Sequence, residues 1–259
     1  MKEPVFKLIE ALEEEKEKRK VVFCIPTYPF KPRQETLDSV RDSVPLLEER
    51  GWEHGMVSEI GNPYISAARA AMLRKALDAK ATHIMFIDQD VSWEPAALLK
   101  VLDAKGGMVA GTYRFKCDKE TYMGYPLTDA EGRPANIRED GAIAAISAPA
   151  GFLKVERWAI SLLMQKFPEL VYGETCAPQF DLFNHGAYKG IWWGEDYACS
   201  RRWGEIGEQL WIVPDINVAH HSSDKAYPGN YHKYLLRRPG GSESANPVQP
   251  VMGTFKVLP

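Results

Sequence analysis

The chain has 259 residues, 45% of them hydrophobic, which is enough to bury one large domain or one domain with a small appendage. A formal net charge of -3 excludes a global basic field for nucleic acid or an anionic membrane, though it is compatible with a local basic face. Residues 1–20 lack the apolar core of a signal peptide and no run approaches the roughly 20 apolar residues that span a bilayer, so a protein with no membrane role is expected, in a bacterial cytosol or a virus-infected host cell.

Val5, Leu8, Ile9 and Leu12 recur at helical spacing and predict a surface helix, followed by the charged residues 13–20. Val21-Val22-Phe23-Cys24-Ile25 predicts a buried parallel strand stopped by Pro26, with Thr27 and Tyr28 in the loop at its carboxyl end. Residues 36–50 read as a helix, 56–60 as a strand, and 66–80, rich in Ala and Leu, as a second helix. Ser92 is positioned to cap the helix that follows, with Glu94 and Pro95 in its first turn. Residues 108–113 predict another strand, so the first half alternates strand and helix as an open, mostly parallel sheet does. The second half is less regular, with strands expected at 142–147, 152–155 and 210–213 and a helix at 157–166. Gly, Ser and Pro dominate from Pro239 onward and predict a tail. The expected organisation is one domain over residues 1–238, with halves 1–115 and 116–238, followed by the tail 239–259. Cys24, Cys117, Cys176 and Cys199 show no C-x-x-C spacing and read as reduced thiols.

The most informative segment is His83-Ile84-Met85-Phe86-Ile87-Asp88-Gln89-Asp90, an apolar run ending in two carboxylates. Extended backbone alternates its side chains, so Asp88 and Asp90 are expected to point the same way from the strand end. Two oxygens there leave positions for water and phosphates, as hard cations are held in phosphate chemistry. A strand running into an acidic turn is the plainer account of such a pair taken alone. Ligands of open sheets gather beyond the carboxyl ends of the strands, where Pro26, Thr27 and Tyr28 and the acidic pair all fall.

Ile25-Pro26-Thr27-Tyr28, Ala67-Ala68-Arg69, Asp88-Gln89-Asp90 and Ala150-Gly151-Phe152-Leu153, in this order and at this spacing, resemble a GT-A nucleotide-sugar glycosyltransferase of the family 2 kind. Trp192-Trp193-Gly194-Glu195-Asp196-Tyr197, followed by Ile212-Val213-Pro214 and Val218-Ala219-His220, is similar to the Trp-Gly-Gly-Glu segment and downstream metal histidine of polypeptide N-acetylgalactosaminyltransferases, and to the Glu-Asp motif of family 2. The resemblance implies an α/β GT-A fold: a Rossmann-like open, mostly parallel sheet flanked by helices, with an α+β acceptor-side half. It implies transfer of a sugar from a nucleoside diphosphate, a UDP-sugar foremost, to a hydroxyl. Asp90, His220 and Asp88 would form the site of a divalent Mn2+ or Mg2+ ion, with Asp88 orienting ribose or a water ligand. Pro26, Thr27, Tyr28, Arg69, Asp88 and Gln89 would bind the nucleotide sugar, and Gly151, Trp193 and Arg114 would face sugar or acceptor. Asp196, with Glu195 beside it, would take the acceptor's proton in an inverting reaction; the alternative for this pair is a helix start whose acids complement the dipole.

The acceptor is the least legible part. Trp192, Trp193 and Trp203 suit stacking on a sugar or base and are equally ordinary core residues. Lys225, His232, Lys233, Arg237 and Arg238 interleave with Tyr227, Tyr231 and Tyr234, and Arg114 and Lys116 add to them. This suits a DNA backbone with a flipped base, or a loop closing over a diphosphate. A hydroxymethylated pyrimidine in phage DNA and a glycan or small molecule stand level as acceptors. A nucleotidyltransferase is disfavoured by the lack of a Gly-rich loop after the first strand. A non-catalytic nucleotide-sugar- or DNA-binding module is disfavoured because Asp88, Asp90, Glu195, Asp196 and His220 all stand.

Overall fold

The computed structural model describes residues 19–174 and 178–237; the expected opening helix, the tail, Arg238 and Cys176 lie outside them. In chain order the elements are β1 (Lys20–Thr27), α1 (Gln34–Glu49), β2 (Glu53–Ile60), α2 (Ile65–Asp78), β3 (His83–Ile87), β4 (Val91–Trp93), α3 (Pro95–Asp103), β5 (Met108–Gly111), β6 (Tyr125–Pro126), β7 (Ile143–Ser147), β8 (Phe152–Glu156), α4 (Arg157–Lys166), β9 (Val171–Tyr172), β10 (Gln179–Phe180), β11 (Gly186–Tyr188), β12 (Ile191–Trp193), α5 (Glu195–Glu205), β13 (Leu210–Val213), β14 (Val218–His221), β15 (Ala226–Gly229) and α6 (Tyr231–Leu236).

Alternation along the central strands decides the architecture. Val21, Phe23 and Ile25 of β1 enter one core and Val22 and Cys24 another, and β3 repeats this with Met85 and Ile87 against Ile84 and Phe86. A sheet apolar on both faces needs helices on both. Leu47 of α1 and Leu98, Val101 and Leu102 of α3 cover the first face. Met72 and Leu73 of α2, Ile160 and Leu163 of α4, and Trp203 of α5 cover the second.

The eight strands lie in the order β2-β1-β3-β8-β5-β13-β7-β6. β1 is parallel to β2 and β3, and β13 to β5, giving the open, mostly parallel α/β sheet that the sequence predicts. β8 runs antiparallel between β3 and β5, and β7 antiparallel beside β13. Because β8 runs backwards, its first residue, Phe152, lies opposite Ile87, the last residue of β3. The Ala150-Gly151 turn is thereby delivered to the carboxyl ends of the parallel strands, the ligand-bearing end of such sheets. A separate three-stranded sheet, β15-β14-β4, follows the acidic turn and carries His220.

Two local expectations change. β1 continues through Pro26 to Thr27, because the strand pairs with β3 only as far as Cys24 and the proline meets β2 alone. Ser92 lies on β4 rather than capping α3; Glu94 precedes the helix without a side-chain cap, and Pro95 opens it. Cys24, Cys117 and Cys199 are free. No described helix is long and apolar enough to cross a membrane.

At the end of β5 a Cβ on Gly111 would come within 2.4 Å of Ile216 Cδ1 and 2.6 Å of Phe152 Cδ1. Gly111→Ala is therefore expected to lower stability by about 1–3 kcal/mol through overpacking, measured by urea denaturation; an unchanged midpoint would show that the core yields at this point.

Candidate functional site

β3 ends at Ile87, and Asp88, Gln89 and Asp90 form a turn closed by Val91 N–H donating to the Asp88 carbonyl at 3.2 Å. Strand alternation therefore does not govern the acidic pair, and the two carboxylates have different partners. Asp88 accepts from Arg69 Nη2 at 2.9 Å and from the Tyr113 hydroxyl at 3.1 Å. Asp90 accepts from Lys116 Nζ on one oxygen and has His220 Nε2 at 3.5 Å from the other. Asp90 and His220 thus face one another, while the two oxygens of Asp88, the third residue of the expected metal set, accept from Arg69 and Tyr113.

His220 arrives through sheet register. β14 runs antiparallel to β4 with His220 opposite Val91, and His221 N–H donates to the Asp90 carbonyl at 2.8 Å. His220 Nδ1 lies 2.9 Å from the Arg114 carbonyl, which only an N–H can satisfy. That contact turns Nε2 toward Asp90, so a ring nitrogen and a carboxylate oxygen face one another as two ligands of a divalent ion would. The donor set thus fits a divalent ion that keeps water and phosphate in its other positions. Among the described residues no group of three or more His, Cys, Asp or Glu side chains could by itself hold a metal. Burial pushes the Asp90 carboxyl up, but hydrogen bonds and charge from His220 and Lys116 outweigh this and hold it below its ordinary value.

Beside this pair is a cavity of about 240 Å³ lined by Pro26, Thr27, Tyr28, Asn62, Pro63, Ile65, Asp88, Gln89, Asp90 and His220. Seven of these ten were expected from sequence; Asn62, Pro63 and Ile65, at the entry to α2, were not. The Thr27 hydroxyl is turned inward to the Glu59 carbonyl at 3.2 Å, whereas the Tyr28 ring is exposed. Gln89 accepts from Tyr28 N–H at 3.3 Å and donates to its carbonyl at 3.1 Å, so the amide fixes the loop carrying that ring. At Gly151 the close approach is real: a Cβ would meet the Tyr113 hydroxyl at 2.1 Å and Asp88 Oδ2 at 2.3 Å.

Arg69, expected at the ligand, is buried. Its Nη2 meets Asp88 and its Nη1 meets Glu195 Oε1 at 3.3 Å, while the guanidinium lies 4.8 Å from the Phe183 ring centre. Glu195 and Asp196 open α5, where acids suit the helix dipole. Asp196 also accepts from Tyr197 N–H at 2.8 Å. Burial and then the charge of Glu195 raise its pKa to about 7, with Asp88 adding and Arg69 opposing. One guanidinium thus ties Asp88 at the pocket to Glu195, the residue before Asp196.

The acceptor-side residues scatter. Trp193 lies on β12 with the Arg201 guanidinium 5.4 Å from its ring centre, Trp192 beside it is exposed, and Trp203 is core. Arg114 donates to the Cys117 and Asp118 carbonyls and sits over Tyr227. The basic and aromatic stretch is folded onto the protein: Lys225 bonds Asp118, Arg237 bonds Glu120 at 2.7 Å, and Tyr231 and Tyr234 pack on Tyr122 at 5.0 and 5.1 Å. Tyr113, like Asn62, Pro63 and Ile65, is absent from the sequence expectation. Its signal was its position at the carboxyl end of the predicted 108–113 strand.

No family model matches the sequence, and no curated protein matches it. In fold the chain is similar to A197 from STIV, at 16% identity and TM-score 0.47, over 82% of this chain and 94% of that one. It is similar to S. aureus TarS 1-349, at 12% and 0.37, over 81% and 59%. It is also similar to a mutant Drosophila β-1,4-galactosyltransferase 7 in complex with manganese, UDP-Gal and xylobiose, at 14% and 0.40, over 91% and 79%. None reaches a TM-score of 0.5, and the functional reading rests on the site's own geometry.

Folding raises the Asp196 pKa from an ordinary value of about 3.9 to about 7. The sign follows: its favourable contribution is full below the unfolded value and lost as pH rises through 7. Asp196→Asn, which cannot ionise, is expected to be more stable than the native chain at pH 8 by on the order of 1–3 kcal/mol and no more stable at pH 4. Urea denaturation at both pH values measures this, and equal differences at the two would remove the buried-carboxylate account.

Proposed function

We propose that this protein is a glycosyltransferase that moves a sugar from a nucleoside diphosphate, a UDP-sugar foremost, to a hydroxyl acceptor with inversion. The observation that carries the reading is the chain of contacts from the Asp90 and His220 pair, through Tyr113 to Asp88, through Arg69 to Glu195, and on to the next residue, Asp196. It joins a cation and phosphate pole to a base pole. The motif order read from the sequence supports the same assignment.

In this reading Tyr28, Asn62 and Pro63 flank the nucleoside, and Asp90 with His220 Nε2 would hold the divalent ion, Mn2+ or Mg2+. Such an ion, when bound, supplies Lewis-acid stabilisation of the departing diphosphate. Asp196 takes the acceptor hydroxyl's proton as oxygen attacks the anomeric carbon. Its value of about 7 suits that work, since a general base acts best near the operating pH. Glu195 is a positioning residue, bound to Arg69, that raises Asp196 by its charge. A cavity of about 240 Å³ is smaller than those enclosing a drug-sized ligand, so only part of the donor fits in it.

A glycan or small-molecule hydroxyl is favoured over modified DNA. Lys225 and Arg237, which a DNA reading would turn to phosphates, are neutralised by Asp118 and Glu120, and Tyr231 and Tyr234 pack on Tyr122 instead of offering free rings to a base.

Thermal melting with a panel of nucleoside diphosphates, with and without Mn2+, tests the donor site. One diphosphate should stabilise the protein selectively and only with metal, by mass action on the native state. Asp90→Ala should abolish that shift; a shift that persists would remove the metal assignment. Once a donor is known, Asp196→Asn should lower kcat by about 10²–10⁴-fold with donor affinity nearly unchanged, and an undiminished kcat would exclude Asp196 as the base.

A further inference from the structure

A four-residue loop after β5 touches every charged group of the cation pole. Tyr113 donates to Asp88, and its ring lies edge-on to His220 at 5.0 Å. The Arg114 carbonyl orients His220, and Lys116 reaches Asp90. The loop's backbone is pinned: Phe115 N–H donates to Thr121 at 3.0 Å, Met123 N–H to Tyr113 at 3.0 Å, and Arg114 bridges to Tyr122. The Lys116 side chain, 35% exposed, reaches Asp90 on a flexible four-carbon stem whose ammonium can take other partners. Asp90 therefore sits between a fixed imidazole on one oxygen and a movable ammonium on the other.

We infer that Lys116 is a resident counter-cation that occupies Asp90 until a diphosphate arrives, so that the divalent ion and the nucleotide bind cooperatively. This rests on the proposed cation site. A divalent ion between Asp90 and His220 would be repelled by an ammonium on the same carboxylate, so the two positive groups compete for Asp90. A diphosphate in the adjoining cavity offers the ammonium a new partner with more charge and more acceptor oxygens. Drawing Lys116 off Asp90 opens the carboxylate to the ion, and the bound ion in turn favours the diphosphate. Such coupling is reciprocal: each ligand raises the other's affinity by one factor. Lys116 acts here as a positioning residue, through Asp90.

Electron paramagnetic resonance of free Mn2+ in titrations of the full chain, with and without UDP, reads this directly and needs no turnover. In the native protein UDP should raise Mn2+ affinity by about tenfold or more. Lys116→Met should bind Mn2+ alone about tenfold more tightly than the native chain, with the gain in affinity brought by UDP reduced by a similar factor, and Lys116→Arg should behave like the native chain. Melting curves confirm that both variants fold. If Lys116→Met binds Mn2+ alone no more tightly than the native protein, while Asp90→Ala abolishes binding, the cation site stands and the role of Lys116 is overturned. If the native protein binds no Mn2+ even with UDP, or Asp90→Ala binds it equally well, the cation site and the Lys116 inference fall together.

Discussion

Arg69 carries its charge into the interior with a side chain only 3% exposed, which is tolerable because two carboxylates and an aromatic face meet it there. The partners come from distant parts of the chain: Asp88 follows β3, Glu195 opens α5, and Phe183 belongs to the core between them. The guanidinium thus adds a buried ionic link between the first half and α5 to the strand pairings that join the two halves. Removing either acid would leave a buried charge with half its compensation, so the spacing of the two poles is set by a fork of fixed width.

The backward course of β8 makes this fastening possible. Were it parallel to β3, its first residues would lie at the opposite end of the sheet. Running antiparallel, it brings Gly151 against Asp88 and Tyr113, where any side chain at 151 would collide with the oxygens that orient the turn. The second sheet plays the matching part for Asp90, since the pairing of β14 with β4 fixes His220 by backbone register rather than by a long side chain's choice.

Much of this was legible in the sequence, for physical reasons. The strands of the first half announce themselves because they are buried on both faces, and their carboxyl ends mark where ligands of such sheets gather; Pro26, Tyr28, Asp88, Gln89, Asp90 and His220 line one cavity there. What the sequence does not reveal is the direction in which a side chain points. Asp88 and Asp90 take different partners because a turn, not a strand, holds them. Arg69 and Thr27 point inward because polar groups of neighbouring elements, Glu195 and the Glu59 carbonyl, compete for them. The basic and aromatic stretch around residue 230 looked like a surface for a partner. Its acids, Asp118 and Glu120, come from a loop more than a hundred positions earlier, and no local pattern reveals that pairing.

The formal charge of -3 counts Asp196 as fully ionised. Burial and the charge of Glu195 raise its pKa to about 7, so near neutral pH both its protonated and its ionised forms are populated. The resting protein is therefore two interconverting charge forms of one fold, one with an acceptor for a proton beside Glu195 and the other with a proton already in place. Any anion settling beside Asp88 favours the protonated form, and any cation settling beside Asp90 favours the other. The hydrogen-ion concentration of the surroundings thereby acts as a third ligand of the site.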